Sequence, residues 1–189
     1  IKTDDGEYTA KAVIIATGAG HKHLGIDHEA ELVGRGIGYC ASCDGMFYRG
    51  KTVAVVGGGN SALQEALQLA ELCKKVYVIQ NLDFLTGEGK LCEQVSAKDN
   101  IEVILGTTVS ALLGDDAFAG VTVCKTADNS TKDLALDGLF VAIGLIPQNE
   151  AFANVLTLDE RGYAAYGEEC TTENKGVFVA GDCRQKNIR

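Results

Sequence analysis

Residues 51–80 read KTVAVVGGGNSALQEALQLAELCKKVYVIQ, and this stretch decides the fold. A β-branched run, Thr52–Val56, leads straight into three glycines, the pattern of a buried strand closed by a tight turn. Beyond the turn, Ala62, Leu63, Ala66, Leu67, Leu69, Ala70 and Cys73 cluster on one side at 3.6-residue spacing, which predicts a helix with one apolar face. KKVYVIQ predicts the next strand, so the stretch forms one β-α-β unit of about 30 residues. Inside it, GGGNSA at 57–62 fits G-x-G-x-x-A. Gly57 would make the tight turn, Gly59 would let a pyrophosphate approach the backbone, and Ala62 would let helix and strand pack closely. The start of the helix, at Asn60 and Ser61, offers free N–H groups and a partial positive charge to phosphates.

Which nucleotide binds is read from the end of the second strand. An acid there holds a ribose with a free 2′-hydroxyl, and arginines hold a 2′-phosphate. The chain reads VIQNLDFLT at 78–86, so Gln80 and Asn81 are the expected ribose contacts. Both can hydrogen-bond a ribose, and neither can neutralise a phosphate.

Outward from this core, KAVIIATGAG at 11–20 predicts a buried strand, followed by a loop to about residue 36. GKLCEQVSAKD at 89–99 predicts a second helix, and residues 101–115 predict two strands broken at Gly106. Residues 119–126 and 132–144 read as strands of a meander that returns to the sheet. The last part is short strands and turns ending in a buried strand at 177–180. This alternation of strands and helices is α/β.

Hydrophobic residues make up 46% of the 189-residue chain and charged residues 23%, a globular balance that argues against disorder. Its apolar runs are far shorter than the about 20 residues a membrane helix needs, so no membrane association is expected. A net charge of −9 without a basic run excludes a phosphate-backbone partner, and no nucleic acid is expected. Residues 1–8, IKTDDGEY, are polar and acidic, and the expected location is cytoplasmic.

Two of seven cysteines stand close together, in YCASCDG at 39–45. Zinc would need four ligands, and no second close pair exists; His21, His23 and His28 lie in HKHLGIDH, more simply read as a polar loop. No metal is therefore expected. A purely structural disulfide closing so short a loop would stabilise little. The spacing suits a dithiol that opens and closes, with Cys40 and Cys43 as the redox pair. Asp44, directly after Cys43, could return a proton to a departing thiolate, or could simply form the turn before Gly45.

A redox C-x-x-C-D-G ahead of a dinucleotide loop resembles the low-molecular-weight, bacterial-type thioredoxin reductases. ATGA (16–19), GRG (34–36), CASCDG (40–45), FYRGKTVAVVGGGNSA (47–62), GLFVAIG (138–144) and GVFVAGDC (176–183) occur in that family's order over essentially the whole chain. The resemblance implies a Rossmann-like α/β fold of the type with two dinucleotide-binding domains, carrying partial FAD-domain strands at both ends. Residues 1–20 and 143–189 would be FAD-domain segments, and 21–142 the NAD(P)H-binding domain with the dithiol. It implies that the chain is a fragment of a longer, homodimeric protein and does not turn over alone. Cofactor contacts are implied at Ile143 and Gly144, and at Gly181 and Asp182 toward the flavin's ribityl and phosphate side.

The implied reaction passes electrons from a nicotinamide nucleotide through FAD to Cys40 and Cys43, and on to thioredoxin or a similar small redox protein. By the resemblance Cys43 is nearest the flavin, Cys40 attacks the partner disulfide, and Asp44 is the acid. The inserted domain is expected to rotate between two states, with hinges near 18–20 and 144–147. In place of the family's arginine pattern for NADPH stand Gln80, Asn81, Leu82 and Thr86, so the coenzyme is expected to be NADPH or NADH. Two other readings remain: a flavoprotein reductase that feeds a peroxidase or draws on ferredoxin, and a non-catalytic, nucleotide-responsive redox sensor.

Overall fold

The β-branched run at 52–56 is apolar on both faces, and the structure buries it inside a five-stranded sheet. This computed structural model describes residues 1–115 and 117–186. In chain order, β1 (Lys2–Thr3) and β2 (Gly6–Glu7) form a small hairpin ahead of β3 (Val13–Ile15) and β4 (Ala19–His21). Next come α1 (Glu29–Leu32), β5 (Ile37–Gly38), α2 (Ala41–Asp44) and a 3-10 turn at Gly45–Tyr48. The β-α-β unit is β6 (Thr52–Val56), α3 (Asn60–Ala70) and β7 (Lys75–Ile79). It is followed by α4 (Gly89–Ser96), β8 (Ile101–Ile104), β9 (Thr107–Leu113), β10 (Gly120–Lys125), β11 (Thr131–Ala135) and β12 (Gly138–Val141). Finally come β13 (Leu145–Pro147), a 3-10 turn at Glu150–Phe152, β14 (Val177–Val179) and a 3-10 turn at Gly181–Cys183.

The chain divides into two units, His21–Gly144, and Ile1–Gly20 together with the chain from Leu145 onward. In the first unit the sheet order is β5-β12-β6-β7-β8, and every neighbouring pair is parallel. Parallel strands need covered faces, and here the alternation of side chains supplies both. Val53, Val55, Val76, Val78 and Phe140 point to one face, where Ala62, Leu63, Ala66 and Leu69 of α3 and Val95 of α4 close over them. Ala54, Val56, Ile79, Leu139 and Val141 point to the other, against Val121, Val123 and Leu134. That second cover is the meander, a separate antiparallel sheet in the order β11-β10-β9, with a register shift at Thr122/Val123.

From β6 the connections run to β7 and β8 on one side, while β12 lies on the other. The strand order therefore reverses beside β6, and a crevice opens at the carboxyl ends of β6 and β12, the place where ligands bind in open α/β sheets. The sequence loop at 21–36 contains a short helix, α1, that buries Leu32 and Glu29.

In the second unit β3 and β14 pair in parallel, Val177 with Val13 and Val179 with Ile15. Ile15, Leu156, Ala164, Tyr166, Val179 and Cys183 form its core. Buried Asn149 links three segments by donating to the Gly162 and Cys183 carbonyls and accepting from Thr17. The Cys183 thiol reaches back to the Ile15 carbonyl, 168 residues away. Both strands were expected to be buried, yet each turns one side chain outward: Ile14 is 69% exposed and Phe178 36%. Among the described residues, only one face of this strand pair is covered. Among the described residues, no helix is long and apolar enough to cross a membrane.

Candidate functional site

The glycine loop leaves β6 at Gly57 with φ of 131°, a conformation that favours glycine. A Cβ there would lie 2.4 Å from the Ala142 carbonyl oxygen and 3.1 Å from the Ala62 methyl. The first and third motif positions are thus pressed against each other and against the end of β12. A Cβ on Gly59, by contrast, would meet only the Thr86 hydroxyl, at 3.7 Å. Its backbone stands open toward the crevice and immediately precedes the first turn of α3.

That crevice has a volume of about 700 Å³. Gly57, Gly58, Gly59, Asn60 and Ser61 form its floor, Gln80 and Asn81 one wall, and Ile143 and Gly144 another. Among the described residues, no charged side chain lines it. Gln80 is 5% exposed and packs on the glycine loop, since a Cβ on Gly58 would fall 2.6 Å from its side-chain amide. Its Nε2 donates to the Phe84 carbonyl at 3.3 Å. Asn81 is exposed at the rim. Residues 81–88 fold back over the loop, with the Thr86 and Gly87 N–H groups both donating to the Gly58 carbonyl at 2.8 and 2.9 Å. The Asn60 side chain is held by Glu88.

Cys40 and Cys43 are joined in a disulfide at the start of α2, with their Cα atoms 5.3 Å apart. Cys40 caps the helix, accepting the Cys43 and Asp44 N–H groups on its carbonyl. Cys40 is half-buried and Cys43 exposed. The Asp44 carboxylate turns inward toward β5, where a Cβ on Gly38 would lie 3.2 Å from its Oδ2. Burial first, and then the Asp44 charge, raise the Tyr48 hydroxyl above its usual pKa. Directly after the dithiol, Met46 and Phe47 stand 59% and 74% exposed.

Just ahead of the dithiol, buried Glu29 organises the polar loop. Its carboxylate accepts the Leu24 and Gly25 N–H groups at 2.9 and 2.8 Å and the Tyr39 hydroxyl at 3.1 Å. Burial and the Glu29 charge push Tyr39 up to about 12. His23 hydrogen-bonds the same hydroxyl at 2.6 Å, and His21 stacks on the Tyr39 ring. Among the described residues, no group of three or more His, Cys, Asp or Glu is arranged to hold a metal ion.

Gly181 and Asp182 lie in the other unit, in the turn after β14. Gly181 has φ of 79° and nothing within 4 Å of where a Cβ would stand, so its backbone is open. Asp182 pairs with Lys186.

A disulfide in the same unit as an open glycine-loop crevice at a strand-order reversal is the combination that decides the family. The model for pyridine nucleotide-disulphide oxidoreductases matches residues 1–189. The chain belongs to this family. Among curated relatives, the thioredoxin reductase of Listeria monocytogenes is 39% identical over 183 residues, covering 96% of this chain and 57% of that protein. The crystal structure of the Lactococcus lactis thioredoxin reductase superposes with a TM-score of 0.88 at 33% identity, covering 100% of this chain and 62% of that one. A ferredoxin-flavin thioredoxin reductase from Clostridium acetobutylicum is more distant, with a TM-score of 0.52 at 28% identity over 94% of this chain and 56% of that one. The chain is thus similar to thioredoxin reductases along its length, and spans about three-fifths of theirs.

Glu88 went unread in the sequence: it sits in a stretch without periodicity, and its hold on Asn60 follows from a backbone turn that no residue pattern announces. Thr86 was read only as a residue in place of the family's arginine pattern, whereas its backbone N–H closes on the Gly58 carbonyl.

Proposed function

We propose that this chain is the nucleotide-binding and dithiol portion of a flavin-dependent thioredoxin-disulfide reductase. The observation that carries the reading is the Cys40–Cys43 disulfide, present in the unit that also holds the open glycine-loop crevice. In this reading residues 21–142 are the NAD(P)H domain, and residues 1–20 and 143–189 are parts of an FAD domain in which Gly181 and Asp182 would hold the flavin's ribityl and phosphate side. FAD, when bound, supplies a two-electron carrier between the coenzyme and the disulfide. Gly59, Asn60 and Ser61 bind the coenzyme's pyrophosphate through the loop and helix N–H groups. Ile143 and Gly144 line the same cleft beside it.

Cys43 would be the sulfur that serves a bound flavin, Cys40 attacks the disulfide of the partner, and Asp44 returns the proton to the departing thiolate. Because one dithiol serves two reactants, the His21–Gly144 unit rotates about its two crossings in the intact protein. Thioredoxin is the partner, supported by the exposed Met46 and Phe47 next to the dithiol as an apolar docking surface. The intact protein works as a cytoplasmic homodimer. NADH serves better than NADPH, because among the described residues the crevice lining offers a 2′-phosphate no counter-charge.

The test uses the full-length, FAD-loaded protein free of oxygen. NADH, NADPH and reduced ferredoxin are added separately and the flavin's visible absorbance is followed. Rapid bleaching by NADH, and loss of thioredoxin reduction in Cys40→Ser, are expected. Bleaching by ferredoxin alone refutes the nucleotide assignment, and thioredoxin reduction that survives Cys40→Ser refutes the reductase.

A further inference from the structure

The turn that follows the dithiol gathers apolar and cationic side chains in one place. Cys43, Met46 and Arg49 are spaced three apart along α2 and the 3-10 turn after it, and residues three apart on such turns lie on one face. Arg49 and Met46 do meet, with Arg49 Nη2 donating to Met46 Sδ at 3.7 Å. Two residues on, Lys51 Nζ stands 5.5 Å from the centre of the Tyr48 ring. Lys74, from the connection between α3 and β7, lies alongside, its N–H donating to the Lys51 carbonyl at 2.8 Å. Met46 and Phe47 are exposed, and so are Arg49, Lys51 and Lys74.

The acids nearby are engaged elsewhere. Glu102 pairs with Lys75 and Glu71 with Lys98. Asp44 turns inward toward Gly38, and Asp137 accepts the Thr52 N–H. Among the described residues, no ion pair involves Arg49, Lys51 or Lys74. The whole chain carries 26 acids against 17 lysines and arginines, so three unpaired cations together reverse its sign locally. A partner that exchanges a disulfide with Cys40 and Cys43 has to cover them. A standard interface takes about 800 Å² of each partner, a disc roughly 16 Å in radius. Helical rise places Arg49 only about 9–12 Å beyond Cys43. Met46 and Phe47 then fall in the middle of that disc and the cations toward its edge, the usual arrangement of apolar core and polar rim.

We propose that Arg49, Lys51 and Lys74 form a cationic rim that selects redox partners whose disulfide is bordered by acidic side chains. Met46 and Phe47 supply the apolar centre, and the rim steers the partner onto it and fixes its orientation. The inference rests on Cys40–Cys43 reducing a protein disulfide, and it adds the charge of the surface that carries that disulfide. The exchange closes Cys40–Cys43, breaks the partner's S–S bond and passes two electrons and two protons to the partner's sulfurs.

The test reduces the chain with dithiothreitol, removes the reductant, and adds one of two cyclic disulfide peptides that differ only in flanking Glu or flanking Lys. At low salt the Glu-flanked peptide should be reduced roughly tenfold faster, and the gap should close at high salt as screening shortens the reach of the charges. In Arg49→Gln/Lys51→Gln/Lys74→Gln, three changes at exposed positions, the ratio of the two rates should fall to about one. Equal rates with the natural chain, or a ratio the variant keeps, overturn the inference. Sedimentation of both proteins checks the other occupant: self-association that the variant abolishes identifies a second copy of this chain on the patch and overturns the proposal. A natural chain that reduces uncharged 2,2′-dithiodipyridine and neither peptide overturns the reductase reading, and this inference with it.

Discussion

Asn60 and Glu88 hold each other twice: the Glu88 N–H donates to Asn60 Oδ1 at 2.7 Å, and Asn60 Nδ2 donates to Glu88 Oε1 at 3.1 Å. The start of α3 is thereby tied to the start of α4, and residues 81–88 are closed over the glycine loop. This corner carries the Glu88 carboxylate, and among the described residues lining the crevice there is no cation, which bears directly on coenzyme choice.

A guanidinium added at the rim should recruit the 2′-phosphate. Leu82 lines the crevice and is 39% exposed, so Leu82→Arg can be accommodated without burying the new charge. A charge-assisted hydrogen bond contributes about 1.5–3 kcal/mol, so NADPH should bind roughly tenfold tighter or more. NADH binding should change little. Isothermal titration with both coenzymes checks this, and equal gains for the two would show that the arginine does not reach the phosphate.

Gly57→Ala should abolish nucleotide binding and destabilise the first unit. The new methyl would strike the Ala142 carbonyl, which belongs to the backbone and cannot swing aside. The positive φ alone costs about 1–3 kcal/mol. A lowered urea midpoint together with lost coenzyme binding is the expected pair of results.

Leu69→Ala tests the packing beneath the dithiol. Leu69 is fully buried between α3 and the sheet and also touches the Gly45 position. Emptying that volume should cost about 2–5 kcal/mol in urea unfolding. A loss under about 1 kcal/mol would mean that neighbouring side chains refill the gap.

Glu65→Gln should change how stability depends on pH. The carboxyl has a raised pKa in the folded chain, so between its unfolded value and about 7 the folded state holds more protons than the unfolded one. Stability from this group is full below that window and is lost as pH rises through it. The glutamine variant should therefore gain on the natural chain between mildly acidic and mildly alkaline solution. Paired urea midpoints at the two ends of the window measure it, and parallel profiles would contradict it.

Much of the first unit was legible because local signals agree with tertiary ones. The run at 52–56 is β-branched and buried on both faces; the 3.6-residue repeat from Ala62 to Cys73 matches the face α3 presents to the sheet. The glycine loop was readable because its positions have steric causes, seen in the contact between Gly57 and Ala62. Less was readable where one residue type serves two purposes. Gln80 stood as a ribose contact on its position after β7, and its amide in fact also fills the space beside Gly58. Glu29 lay in a stretch read as an unstructured polar loop, although two backbone N–H groups and a tyrosine converge on it. Ile14 and Phe178 belong to runs that predict buried strands, and side-chain periodicity cannot say whether a second layer covers them.

The pairing of β3 with β14 has a bearing on how the chain is made. Ile15 finds Cys183 only after 168 further residues have been joined, roughly ten to thirty seconds of synthesis. The whole of His21–Gly144 leaves the ribosome in that interval, with every strand of its parallel sheet at hand. It is complete and can fold before β14, the strand that pairs with β3, has been made. In a nascent chain the dithiol thus exists before the unit that flanks it.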